Sequence, residues 1–186
     1  MDKVLLHICC GPCATYPVPV LREKGYQVIG LFYNPNIHPF TEYKNRKEAL
    51  ERFADISDLP VLYEESYDPA VYFQNVSYRE SNRCFYCYTM RLEETARYAR
   101  KGKFDYFTST LLVSKYQKHD MIIQVAETMA AKYEVPFLYM DFREGFRETG
   151  VRAREMELYR QQYCGCLYSE FERYRPKEKK GRNHAD

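Results

Sequence analysis

Seven cysteines in a chain of 186 residues fall into three short clusters. They are Cys9-Cys10-Gly11-Pro12-Cys13, Cys84-Phe85-Tyr86-Cys87 and Cys164-Gly165-Cys166. Four thiolates suit a [4Fe–4S] cluster or a structural zinc ion. The C-x-x-C spacing of Cys84 and Cys87 lets one turn of chain aim both sulfurs at a shared centre, and Cys9 with Cys10 can supply the other two. Zinc sites usually draw on two spaced pairs, so an adjacent pair is less typical of zinc. Cys10-Gly11-Pro12-Cys13 also has the form of the thioredoxin redox motif. Against that reading, Cys9 stands where the usual tryptophan would be, and the remaining cysteines go unexplained. Cys164-Gly165-Cys166 permits a strained, reducible disulfide, metal binding, or a pair that stays reduced.

The elements that must position these sulfurs alternate between strand and helix. Val4 to Ile8 is a short apolar run that ends at the first cysteine cluster, which fits a buried strand. Pro12 suits the first position of a helix continuing from Ala14 to Lys24, with Gly25 as its stop. Tyr26 to Tyr33 reads as a second strand, completing a β-α-β unit with a right-handed crossover. A helix over Phe40 to Ile56, a strand over Pro60 to Tyr63, a helix over Arg83 to Arg100 and a strand over Phe104 to Ser109 follow. Ser114 with Gln117 has the spacing of a capping box for a helix reaching Lys132. Pro136 to Met140 reads as another strand and Glu148 to Gln161 as the last long helix. This pattern predicts an α/β layered fold with a mostly parallel sheet, as one domain over 1–186 with a flexible tail from about 171. In such sheets, sites collect beyond the carboxyl ends of the strands, where Cys9, Cys10 and Cys13 fall.

Composition is that of an ordinary globular chain, with a formal net charge of only +2, so bulk charge neither announces nor excludes a nucleic-acid partner. No segment is apolar for the length of a membrane helix, and the start is too short and wrongly charged for a signal peptide. A cytoplasmic location without membrane contact is therefore expected. In a reducing compartment, cysteines are more often metal ligands or catalytic thiols than a disulfide framework. Nineteen tyrosines supply rings for stacking. Tyr33, Tyr86 and Tyr163 are candidates near the cysteines. His7, inside the first apolar run, reads as a core or supporting histidine; His38 and His119 are candidates for substrate contact. The turn Asn34-Pro35-Asn36 lies at the cysteine edge of the sheet. Arg143, Arg147, Arg152, Arg154 and Arg160 can form a basic face for phosphates, with Asp141 and Glu144 as balancing charges or metal ligands.

Taken together, His7 to Cys13, Tyr33-Asn34-Pro35-Asn36-Ile37-His38-Pro39, Cys84 to Cys87 and Tyr163 to Cys166 resemble the epoxyqueuosine reductase QueH family. Thr108 to Ser114 and Asp141-Phe142-Arg143 share the resemblance, which runs from about residue 3 to about residue 170. It implies reduction of an epoxide to an alkene on the wobble base of tRNA, the last step of queuosine biosynthesis, without cobalamin. It implies a [4Fe–4S] cluster on Cys9, Cys10, Cys84 and Cys87, a redox disulfide between Cys164 and Cys166, and an electron donor of unidentified type. The implied fold is Rossmann-like, resembling adenine-nucleotide α-hydrolases, with a C-terminal helical extension. Cysteines occupy the loop that binds phosphate in those relatives, which argues against ATP use. Cys13 is left over from the four ligands. It is a candidate to hold an additional iron as a Lewis acid, or to attack the epoxide as a nucleophile. The competing readings are a zinc-stabilised nucleic-acid-binding module and a thioredoxin-like thiol–disulfide oxidoreductase.

Overall fold

In a computed structural model, which describes residues 1–64 and 66–176, four strands make one parallel sheet. They are β1 (Lys3–His7), β2 (Gln27–Phe32), β3 (Val61–Tyr63) and β4 (Tyr106–Ser109), in the order β3-β2-β1-β4. Parallel strands buried on both faces read as continuous apolar runs. Central β1 obeys this, with Val4, Leu5 and Leu6 fully buried. Leu5 pairs with Ile29 on one side and Phe107 on the other. The strand order reverses at β1, so the loop after it opens at the switch point where α/β proteins place their sites.

The helices are α1 (Gly11–Ala14), α2 (Pro17–Glu23), α3 (Phe40–Ser57), α4 (Pro69–Val76), α5 (Arg83–Lys101), α6 (His119–Tyr133), α7 (Phe146–Glu155) and α8 (Leu167–Tyr174). Among the described residues, no helix is long and apolar enough to cross a membrane. Helix α8 supplies the expected C-terminal helical extension. It carries the chain through Tyr174, and the part of the expected tail from 177 on lies outside the described residues.

Five local expectations are corrected. The helix expected over Ala14 to Lys24 is two pieces, because Pro17 opens a new helix and cannot donate to the preceding turn. Helix α6 starts at His119 rather than at Ser114. Gln117, which a capping box would need, spends its side chain on tertiary partners: its Oε1 accepts from Tyr88 Oη at 2.7 Å. The strand expected over Pro136 to Met140 shrinks to one bridge between Phe107 and Phe137, beside a proline that has no N–H to donate. Helix α7 ends at Glu155 instead of Gln161, since Glu157 takes φ +52° and turns the chain back. Helix α4 was not expected at all. It packs Tyr72 and Val76 over Cys87 and Cys166.

The loop carrying the first cysteines is pressed against α3. A Cβ on Gly11 would lie 2.3 Å from the carbonyl oxygen of Ala49. Gly11→Ala should therefore destabilise the protein by about 1–3 kcal/mol, the usual range for overpacking, read as a lowered urea midpoint.

Candidate functional site

At the end of β1 the chain turns sharply. Cys10 is extended, with φ −172° and ψ 161°, and caps the single turn of α1. The sulfurs of Cys9, Cys10 and Cys13 all lie within 4.8 Å of one another. Among the described residues, no other three cysteine, histidine or carboxylate side chains gather as closely. Cys9 and Cys10 are buried, whereas Cys13 is partly exposed. Thr110, at the end of β4, braces the loop. Its hydroxyl accepts from the Cys9 amide at 3.2 Å and donates to Cys9 Sγ at 3.5 Å. Gln161 Nε2 donates to Cys13 Sγ at 3.4 Å.

The electrostatics of the three sulfurs are shared. Hydrogen bonding from Cys10, then from Cys13, holds the Cys9 pKa well below the ordinary thiol value. Burial pushes Cys10 upward, and hydrogen bonding to Cys10 raises Cys13. Of the three, Cys9 is the sulfur whose ionised form its neighbours favour. A helix dipole adds little at these cysteines, because α1 aligns only four residues. A soft cation can displace the remaining protons, so affinity for metal should rise with pH.

Cys84 and Cys87 stand at the start of α5, about one turn apart, and do not join that compact trio. The thiols that act on them electrostatically are Cys164 and Cys166. Burial raises Cys84 and lifts Cys87 to about 12. Cys166 is buried and Cys164 exposed, and all seven cysteines are free thiols in this structure. Gly165 takes φ +143°, in the region that favours glycine. The Cys164-Gly165-Cys166 loop is fastened by the Asn34–Pro39 turn and by α3. The His38 amide donates to the Gly165 carbonyl at 2.8 Å. Arg46 donates to the carbonyls of Cys164 and Tyr163, each at 2.9 Å. Gln117 Nε2 donates to Cys164 Sγ at 3.2 Å.

The other sequence candidates take varied places. His7 is fully buried between Ser109 and the Tyr33 carbonyl. His38 is buried against the rings of Tyr72 and Phe73, and His119 meets the Tyr139 hydroxyl. Asp141 pairs with Arg143 at 2.5 Å rather than facing the sulfurs. Arg152 pairs with Glu148 and donates to the Thr15 carbonyl. Sequence reasoning missed Arg46, Arg91, Thr110, Gln117 and Gln161. Arg91 had a signal, since it lies four residues after Cys87 on the same helix face. Thr110 lies in the Thr108 to Ser114 stretch of the family resemblance, whereas Arg46, Gln117 and Gln161 act across long stretches of chain and left none.

A parallel sheet with cysteine sulfurs gathered at its carboxyl edge defines an α/β protein with a sulfur-lined site. The fold is shared with two solved tRNA-modification proteins. One is the U34-tRNA thiolase NcsA from Methanococcus maripaludis with its [4Fe-4S] cluster (TM-score 0.60, 17% identity, 90% of this chain and 61% of that one). The other is a predicted subunit of tRNA methyltransferase from Methanocaldococcus jannaschii (TM-score 0.56, 13% identity, 83% of this chain and 75% of that one). A family model described as epoxyqueuosine reductase QueH matches residues 4–172. The chain is 42% identical over 172 residues to the epoxyqueuosine reductase QueH of Dehalococcoides mccartyi, spanning 92% of this chain and 94% of that one. It is 37% identical over 182 residues to that of Thermotoga maritima, spanning 93% of each. The chain belongs to the epoxyqueuosine reductase QueH family. It is accordingly an oxidoreductase of tRNA queuosine biosynthesis, and the family match favours neither the zinc module nor the thioredoxin-like alternative.

Arg46 ties α3 to the Tyr163–Cys164 backbone, and its charge is met by a buried i,i+4 ion pair with Glu42 at 2.7 Å. Removing one partner of a buried pair typically costs about 3–5 kcal/mol. Arg46→Met should lose that much in urea unfolding of the metal-free protein, with most of the loss recovered when Glu42→Leu is added.

Proposed function

We propose that this reductase holds a [4Fe–4S] cluster on Cys9, Cys10, Cys84 and Cys87 and deoxygenates the epoxide of epoxyqueuosine at the wobble position of tRNA. The gathering of three cysteine sulfurs within 4.8 Å, at the sheet edge of a chain in this family, carries the reading. The sulfurs that converge are those of Cys9, Cys10 and Cys13, in a largely buried loop; adding Cys84 and Cys87 to Cys9 and Cys10 is what the family resemblance implies, and sulfur-only donor sets of this kind bind iron–sulfur clusters. The overall reaction consumes two electrons and two protons and releases the alkene and one water. When bound, a cluster would supply those electrons one at a time.

The protein's own groups divide the remaining work. Cys13 is the accessible sulfur of the trio, beside two buried ones. In this reading Cys13 meets the epoxide, either as ligand to an additional iron that would polarise the oxygen or as the nucleophile that opens the ring after giving up its proton, since its own pKa is raised while that of Cys9 is lowered. Cys164 is exposed and Cys166 buried. That pairing suits Cys164 as the point where an external donor of unidentified type delivers reducing equivalents by thiol exchange, with Cys166 as its disulfide partner. The tRNA base needs an aromatic platform and cations. Tyr33, Tyr86 and Tyr163 are each partly buried, and Tyr163 already donates its hydroxyl to the His38 carbonyl. Tyr116 is better exposed, at 79%, with Lys115 over its ring. It also adjoins Gln117, which touches Cys164. We assign the stacking role to Tyr116.

Anaerobic reconstitution with iron and sulfide should give a brown protein. Cys9→Ser, Cys10→Ser, Cys84→Ser and Cys87→Ser should each lose the cluster, while Cys13→Ala keeps it and loses turnover of epoxyqueuosine tRNA. A colourless protein carrying stoichiometric zinc would refute the cluster. A Cys84→Ser variant that keeps full colour would move the ligand set to the Cys9, Cys10 and Cys13 trio. Base stacking on an aromatic ring is worth about 1–3 kcal/mol. Tyr116→Ala should weaken tRNA binding by that amount in a filter or anisotropy assay, and binding by either protein should fall steeply with salt.

A further inference from the structure

Arg91 is the most enclosed cation that the chemistry above leaves without a task. Only 1% of its surface is exposed. It lies one turn beyond Cys87 on α5, where its Nη2 donates to Cys87 Sγ at 3.0 Å and its Nε to the Cys87 carbonyl at 3.2 Å. The Tyr88 ring covers the guanidinium at 5.9 Å. Thr95 fixes this turn of helix by donating its hydroxyl to the Arg91 carbonyl. The other enclosed arginine, Arg46, is neutralised by Glu42. Among the described residues no carboxylate pairs with Arg91; the groups that draw it electrostatically are Cys87, Cys164 and Cys9. Its sulfur contact is Cys87 Sγ, while Cys164 and Cys9 act on it through space.

A buried cation is expensive unless an anion meets it. Neutral thiols and one carbonyl do not repay that cost, whereas thiolates ligating iron do. A four-thiolate iron–sulfur cluster is itself an anion, and reduction adds a further negative charge. Hydrogen bonds to cluster sulfurs and local charge are among the factors that set a cluster's reduction potential.

We propose that Arg91 is a positioning residue of the cluster site, a fixed counter-cation that donates to Cys87 Sγ and raises the reduction potential of the cluster. The proposal rests on the iron–sulfur reading above. It assigns Arg91 no contact with substrate.

The test compares reconstituted wild type, Arg91→Lys and Arg91→Met by redox titration followed by EPR, with urea unfolding of each metal-free form. Arg91→Met should shift the reduction equilibrium at least tenfold toward the oxidised cluster, a potential lower by about 59 mV for one electron. Arg91→Lys keeps the charge and should lie nearer to wild type. Metal-free Arg91→Met should unfold at a midpoint no lower than wild type, because an isolated buried charge has been removed. A folded Arg91→Met that takes up no cluster while Arg91→Lys does would also support the charge requirement. A shift below tenfold overturns the proposal, as does a metal-free Arg91→Met that fails to fold, or loss of the cluster from both variants. Absence of iron from wild type would instead refute the cluster reading itself, which separates the two failures.

Discussion

Cysteine sulfur has to be enclosed in this protein with polar partners at hand, and much of the architecture follows from that requirement. Cysteine thiolates shielded from water need either hydrogen-bond donors, a metal or a buried cation. The fold supplies donors at every sulfur where they are wanted: Thr110 at Cys9, Gln161 at Cys13, Arg91 at Cys87 and Gln117 at Cys164. Each donor comes from an element that also belongs to the core or its rim. The sulfur sites are thus tied to packing, and a change in either propagates to the other.

The parallel sheet provides the rigid end of this arrangement. Because β1 is central, its carboxyl end is flanked by β2 and β4, and residues just beyond all three strands converge on one spot. Cys9 leaves β1, Asn34 leaves β2 and Thr110 leaves β4. Asn34 returns a hydrogen bond to the Ile8 carbonyl at 2.9 Å, which holds the two loops together. The C-terminal segment then folds back across this edge. Arg46 and the His38 amide fasten it by its carbonyls, so its two sulfurs arrive beside α5 without depending on their own chemistry for attachment. That leaves Cys164 open to solvent and chemically free.

The division between Cys13 and its neighbours has the same origin. Gly11 lets the loop approach α3 closely enough to bury Cys9 and Cys10. Cys13, one helical turn on, emerges at the edge of the same pocket. Protection and access are thus set three residues apart, which suits a centre that must keep water out and still meet a ring on a large nucleic acid.

Much of this was legible in the chain itself. The apolar run before Cys9, the second run ending at Asn34, and the stops at Gly25 and Pro35 already describe a β-α-β unit, because short-range sterics and burial periodicity act locally. The cysteine clusters likewise announced a thiol site, and their order and spacing identified the family. What the chain could not disclose were relations between distant segments. Which sulfurs gather was decided by the loop after β1, which groups Cys9 and Cys10 with Cys13, while Cys84 and Cys87 meet Cys164 and Cys166. Gln117 was drawn from an expected helix cap to a cysteine 47 residues away. Helix α4 was hidden because it is short and finds its partners on α5, at Cys166 and Tyr168, and at the His38 ring. Residue types and local order belong to the sequence, since each depends on neighbours a few bonds apart. The donors from Thr110, Gln117 and Gln161 and the enclosure around those residues exist only once distant segments meet.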